Sequence, residues 1–267
     1  MTLGHIPTFQ LNALLPNRVD EPLTLASTQK VAPGELDEWL GRGVTICVND
    51  ISAADDQLYA YARAIKLQLG YVGNIRFNCY LSPDGSGADT HFDARVSTTI
   101  QIEGNKRWRF SKCSAVPWPL SNAQVDFGGR PVWMAPWAGH EDWERSRPAH
   151  EESFMEVILG PGDVLCLPAG TWHNAKAIGR SLALNLAFSP VQFFSVLTRI
   201  VETEFMRRAQ WRGGPPPIVA TDVRSDTLPK EVESYLADRL QELREFLSAL
   251  ELTEPRLLRV WQDMVGS

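Results

Sequence analysis

The chain has 267 residues, of which 44% are hydrophobic and 22% charged, and it carries a formal net charge of −6. This is a globular balance with room for one large domain, or one domain and an appendage, and it excludes collagen-like and disordered classes. The acidic balance argues against bulk binding to a nucleic-acid backbone, which needs a concentrated basic face, so no nucleic-acid partner is expected.

Met1 to Gln10 has no basic region followed by an apolar run, and no apolar stretch reaches about 18 residues, so neither a secretory signal nor a membrane span is expected. Cys47, Cys79, Cys113 and Cys166 are scattered without a CxxC pair. That predicts reduced, mostly buried thiols in a cytoplasmic protein and no thiolate metal site. Val44–Val48 reads as a strand. Ser52-Ala53-Ala54-Asp55 matches a capping box, followed by Leu58, Tyr61, Ile65 and Leu69 at helical spacing and by Gly70 as a stop.

From Ile75 to Phe188 short strands are broken by Gly, Pro and Asp. Arg76–Leu81, Val96–Glu103, Lys106–Phe110, Phe154–Leu159, Val164–Leu167 and Ser181–Phe188 are strand-like, which suggests an antiparallel sandwich or barrel. Residues 111–152 interrupt the pattern with Trp118, Trp133, Trp137 and Trp143, several prolines and little periodicity. Such an insertion is either a lid over a site or a surface excursion anchored by its rings. Beyond Pro190 the chain turns helical. One helix runs through Arg212, Gly213–Pro217 breaks it, a second spans Lys230 to Leu250 with an apolar row (Val232, Leu236, Leu240, Leu243, Leu247, Leu250), and a third begins at Thr253-Glu254-Pro255. This divides the chain into 1–190 and a helical extension, 191–267, which either packs on the β core or pairs two copies into a homodimer.

The chemistry is concentrated at His91-Phe92-Asp93. Residues i and i+2 of a strand share a face, so an imidazole and a carboxylate converge there. The run Gly160-Pro161-Gly162-Asp163 to Trp172-His173 reads turn, buried strand, turn, then histidine, and supplies a second ligand. Two histidines and one carboxylate make a facial triad that leaves three positions of an octahedral Fe(II) open. His5, His140 and His150 lie at a terminus or in the insertion and read as solvated or hydrogen-bonded side chains.

Two blocks now resemble the JmjC/cupin superfamily of Fe(II)- and 2-oxoglutarate-dependent oxygenases. They are His91-Phe92-Asp93 through Gln101-Ile102-Glu103-Gly104-Asn105-Lys106-Arg107-Trp108, and Pro161-Gly162-Asp163 through His173, followed by Ser181-Leu182-Ala183-Leu184-Asn185-Leu186-Ala187-Phe188. The resemblance implies a mainly β fold, a double-stranded β-helix (jelly-roll, cupin) core with flanking N-terminal helices. It also implies that His91, Asp93 and His173 bind iron, with 2-oxoglutarate as cosubstrate and O2 as oxidant. Lys106 stands thirteen residues after Asp93, where relatives place the basic residue for the far carboxylate of 2-oxoglutarate. On Lys106–Phe110 it shares the apolar side with Trp108 and Phe110, so its charge needs an anion unless it snorkels to the rim. Asn185, among the small residues Ala183 and Ala187, lines a cavity near the cosubstrate or is a satisfied core amide. Ser97 matches a position that often carries Asn, Thr99 continues the polar row, and Tyr80 lies on the preceding strand. Ala88 departs from the Ser or Thr that several relatives carry three residues before the first histidine. The intact Asp93 implies hydroxylation rather than the halogenation of relatives that lack the carboxylate.

Three functions are compatible with these residues: hydroxylation of a side chain in a protein or peptide, hydroxylation of a small metabolite or natural product, and metal binding by a non-catalytic cupin. Trp133 and Trp137 would wall a peptide groove. Arg95 would project toward substrate and suit a carboxylate, unless it pairs with Asp126 or Glu156.

Overall fold

Alternation of side chains builds the scaffold. The computed structural model describes residues 11–14, 28–125, 131–133, 147–217, 227–250 and 255–266. Two compact units divide at Pro190/Val191. In the first, eleven strands form one antiparallel sheet. They are β1 (Leu11–Leu14), β2 (Thr28–Lys30), β3 (Thr45–Val48), β4 (Gly73–Ser82), β5 (Gly87–Phe92), β6 (Val96–Phe110), β7 (Ala123–Val125), β8 (Pro131–Trp133), β9 (Met155–Leu159), β10 (Val164–Leu167) and β11 (His173–Pro190). One path runs β2-β1-β3-β4-β11-β5-β7-β8, and β6 pairs with β9, β10 and β11. The expected double-stranded β-helix architecture is therefore found.

The two longest strands join its halves. The C-terminal part of β11 lies between β4 and the first half of β6, with Asn185 opposite Asn78 and Thr99. Its N-terminal part lies between β5 and the second half of β6, with His173 opposite His91 and Phe110. The separately expected Val96–Glu103 and Lys106–Phe110 are thus one strand bent at Gly104, and the strand expected from Ser181 already begins at His173. Gly104 has φ +67°, and a Cβ there would sit 2.0 Å from the Arg180 carbonyl oxygen, so only glycine lets the two strands turn together.

Period-two alternation assigns the two faces of β4 and β11. Ile75, Phe77, Cys79 and Leu186 enter a core with Leu11, Ile46, Val48, Trp39 and Ala62, while Leu182, Leu184 and Phe188 pack against it. The opposite face carries Asn78, Tyr80, Ser82, Ala183 and Asn185. Helix α1 (Leu36–Gly41) and helix α2 (Asp56–Leu69) belong to this outer layer. α2 starts later than its capping-box reading: Ile51–Ala54 forms a 3-10 turn, and the Asp55 carboxylate caps α2 by accepting from the Gln57 and Leu58 N–H groups. Its inner face is Leu58, Ala62 and Ile65, whereas Tyr61 and Leu69 point to solvent. Gly70 closes it at φ +57° as expected.

The insertion is less irregular than its sequence suggests. β7 pairs with β5 and β8 with β7, so part of it extends the sheet. Residues 126–130 and 134–146 of the insertion, with Trp137 and Trp143, lie outside the described residues, as does the side chain of Trp133. Trp118 is exposed. The cysteines are free, but only Cys47 and Cys79 are buried; Cys113 and Cys166 are exposed, a correction to the mostly buried expectation.

The second unit holds α3 (Phe193–Phe205), α4 (Ala209–Arg212), α5 (Lys230–Ala249) and α6 (Pro255–Gly266). The helix expected to run on to Arg212 ends instead at Phe205. Phe205 is buried against Trp211 and Phe246, at centroid distances of 4.2 and 5.2 Å. The Trp211 Nε1–H donates to Glu242 (2.9 Å), which also pairs with Arg239 (3.0 Å). Among the described residues, no helix is long and apolar enough to cross a membrane.

Candidate active site

Pairing of β5 with β11 makes His91 and His173 cross-strand neighbours. Their rings lie 4.2 Å apart between centroids, tilted by 55°. Asp93 follows β5 by one residue and shares the face of His91. One ligand atom from each of His91, Asp93 and His173 lies within 4.8 Å of the others. The three residues singled out from sequence are thus brought together.

Backbone acceptors hold the two histidines from behind, and a side-chain donor holds Asp93. The His91 Nδ1–H donates to the Asp89 carbonyl (2.7 Å) and the His173 Nδ1–H to the Thr171 carbonyl (2.8 Å). This fixes the tautomer and leaves the Nε2 lone pairs for a ligand. Asp93 Oδ1 accepts from Asn122 Nδ2 (2.8 Å). The Gly170 N–H donates to the Asp93 carbonyl (2.8 Å), which ties the turn before His173 to the bend after His91. Gly170 needs its φ of +75°, and a Cβ would lie 2.0 Å from the Val116 carbonyl oxygen. His173 stacks on Trp108 with centroids 5.8 Å apart. Burial, helped by the nearby His91 and opposed by Asp93, pushes His173 down to about 4, so its imidazole is neutral at physiological pH. Two imidazoles whose Nε2 atoms face the cavity side and an oriented carboxylate are the donor set of a divalent first-row metal such as Fe(II), and they fit one here.

The triad opens on a cavity of about 320 Å³, also lined by Tyr80, Arg95, Ser97, Thr99, Lys106, Trp108 and Asn185. Lys106 is 4% exposed. Its Nζ donates to Ser82 Oγ (3.1 Å) and lies 5.7 Å from the centre of the Tyr80 ring. Among the described residues no carboxylate pairs with it. Burial lowers its pKa to about 8. The neighbouring thiols give no counter-charge, because burial pushes Cys47 up to about 12 and Cys79 to about 11. Proximity to Cys47, with burial, likewise holds the Tyr80 hydroxyl well above its usual range. The snorkelling alternative for Lys106 is therefore not what the geometry shows; its ammonium is inside. Asn185 donates to Ser97 Oγ and, at 3.5 Å, to Thr99 Oγ1, so it is hydrogen-bonded and lines the cavity at once. Ala88 also lines it.

Several contributors were missed from sequence. Asn122 and Gln124 reach the cavity from the insertion, Asn12 and Thr45 from the N-terminal strands, and Asn49 from the turn after β3. Ser82, two residues beyond Tyr80, was detectable by strand periodicity alone; Asn122 carried no local signal, since only the pairing of β7 with β5 brings it to Asp93. The side chains of Trp133 and Trp137 lie outside the described residues.

The pattern describing the JmjC domain matches residues 58–195, just over half of the chain. Protein YxbC of Bacillus subtilis (strain 168) is 24% identical over 220 residues, which are 80% of this chain and 64% of that protein. Ribosomal oxygenase 1 of Gallus gallus is 29% identical over 116 residues, 43% of this chain and 16% of that protein. The chain therefore spans less than two thirds of the length of these curated relatives. Among solved structures, YcfD, a ribosomal oxygenase from Escherichia coli in complex with cobalt and 2-oxoglutarate, aligns with a TM-score of 0.55 at 18% identity, over 96% of this chain and 59% of that one. That likeness is one of fold. Taken with the motif-bearing strands and the match over residues 58–195, it follows that the chain belongs to the JmjC domain family.

Proposed function

We propose that the protein is an Fe(II)- and 2-oxoglutarate-dependent dioxygenase that hydroxylates an amino-acid side chain of a protein or peptide. The observation that carries this reading is a His/Asp/His set sharing one cavity with a buried lysine that, among the described residues, has no acidic partner. Relatives named ribosomal oxygenases, and a bifunctional lysine-specific demethylase and histidyl-hydroxylase of Drosophila willistoni that is 30% identical over 116 residues, support a protein substrate.

In this reading His91, Asp93 and His173 hold the metal. Lys106 receives the far carboxylate of the ketoacid, with Ser82 and the Tyr80 ring steering its ammonium. Ser97, Thr99 and Asn185 form a hydrogen-bonded row beside it. When bound, iron and 2-oxoglutarate would supply the activation of O2, with one oxygen atom going to the succinate left by decarboxylation and the other to a substrate C–H bond. The chain's own work is orientation. Asn122 aims the Asp93 carboxylate, the Asp89 and Thr171 carbonyls aim the imidazoles, and the small side chains of Ala175 and Ala183 leave room for the ligand. The reading is tested by anaerobic loading with Fe(II) and 2-oxoglutarate followed by O2. Succinate release that is stimulated by a peptide gaining one oxygen atom supports it, and metal uptake without any succinate contradicts it.

The helical extension supports a homodimer, because Leu236, Leu240 and Leu247 of α5 and Leu258 and Trp261 of α6 present apolar surface. The free cysteines support a cytoplasmic setting; a disulfide found after alkylation in intact cells contradicts it.

A further inference from the structure

Lys106 has a companion. Arg95 lies two residues beyond Asp93, in the bend between β5 and β6, and its half-buried side chain lines the same cavity. It is close enough to Cys47 and Tyr80 to act on both electrostatically, yet neither of these carries charge at physiological pH. The acids around it have other partners. Asp89 Oδ1 pairs with Lys176 (2.8 Å), and Asp93 belongs to the triad. Glu156, one of the two partners weighed from sequence, pairs with Arg107 (3.4 Å) and Arg109 (3.9 Å). The other, Asp126, lies outside the described residues. Among those described, no carboxylate pairs with Arg95.

With metal and cosubstrate bound, the charges in the cavity would not balance. A dipositive metal, Lys106 and Arg95 bring four positive charges into the cavity. Asp93 and a dicarboxylate cosubstrate bring three negative ones, which leaves one positive charge. A guanidinium left half-buried and unpaired is costly, and its planar fork matches a carboxylate in bidentate fashion. Asn49 and Gln124, also in the lining, offer amides and no charge.

Building on the oxygenase reading, we infer that Arg95 receives a carboxylate of the substrate, so that the peptide oxidised here carries an aspartate or glutamate at, or next to, the residue that enters the cavity. Arg95 is then the specificity-determining residue, and Lys106 is left to the cosubstrate.

The test uses the full chain loaded with Mn(II) and 2-oxoglutarate and two fluorescent peptide pools of equal length. One pool has Asp or Glu flanking a randomised centre, and the other has Asn or Gln in the same places. Anisotropy should show the acidic pool binding at least about tenfold tighter, as expected for a charge-assisted hydrogen-bonded pair. Arg95→Gln should abolish the difference and Arg95→Glu should turn the preference against the acidic pool. Calorimetric affinity for 2-oxoglutarate should change less than about twofold in Arg95→Gln, which also shows that the variant is folded. Equal binding of the pools, binding of neither, or a preference that survives Arg95→Gln overturns the inference. So does a loss of 2-oxoglutarate affinity in Arg95→Gln as large as in Lys106→Met, which would give Arg95 to the cosubstrate. Failure of the wild-type protein to bind 2-oxoglutarate at all contradicts the oxygenase reading instead.

Discussion

At the scale of single residues, Lys106 joins sequence pattern to chemistry. It stands on the strand face that also carries Trp108, and burial favours its neutral form, with a pKa of about 8. An anion in the cavity reverses that preference. Binding of 2-oxoglutarate should therefore be strongest below about pH 8 and weaken as the lysine loses its proton above it. Titration calorimetry across that range checks the slope. Lys106→Met should lower 2-oxoglutarate affinity about 10- to 100-fold at neutral pH while leaving the metal bound. Asn122→Ala, which frees the Asp93 carboxylate, should weaken metal binding about 10-fold or more, measured by competition with a chelator. The triad itself was legible in the chain because HxD alternation and the turn before His173 are local signals. Asn122 was not legible, since its partner is 29 residues away and only the pairing of β7 with β5 joins them.

At the scale of elements, the site depends on turns that re-aim strands. Gly170 holds a left-handed conformation against the Val116 carbonyl while its N–H reaches Asp93. Gly170→Ala should cost about 2–5 kcal/mol in denaturant unfolding and lower metal affinity with it, because the added methyl must displace the loop that carries His173. A substitution with no effect on either would show that the turn does not position the histidine. Strand periodicity disclosed most of the sheet, and Gly104 explains where it went wrong: a positive φ at a bend reads as a break between strands, although β6 continues through it. α2 misled for another reason. Tyr61 and Leu69 fit the helical spacing, but the adjoining stripe of Leu58, Ala62 and Ile65 meets the core, and apolar spacing alone does not separate two neighbouring faces.

At the scale of the whole molecule, burial of the site has a consequence for stability. The His173 ring takes a proton near pH 6.5 in an unfolded chain but only near 4 in the folded one. As pH falls through that window the unfolded chain binds the proton first, so the metal-free protein should lose stability, by about 3 kcal/mol at most. Unfolding midpoints at pH 7, 5.5 and 4.5 read this directly, and a flat profile contradicts a buried neutral imidazole. For the extension, sedimentation at micromolar concentration should give a dimer that Leu240→Glu converts to a monomer; a wild-type monomer rejects the pairing. The helices were legible from their apolar spacing, whereas what their exposed leucines meet is written in no local pattern.

The proposed chemistry requires three side chains to hold one ion. Equilibrium dialysis against Fe(II) without oxygen should give one metal per chain in the wild-type protein and almost none in a variant that combines His91→Ala with His173→Ala and keeps its β-rich circular dichroism. Equal iron in the two proteins, or none in the wild type, would contradict it.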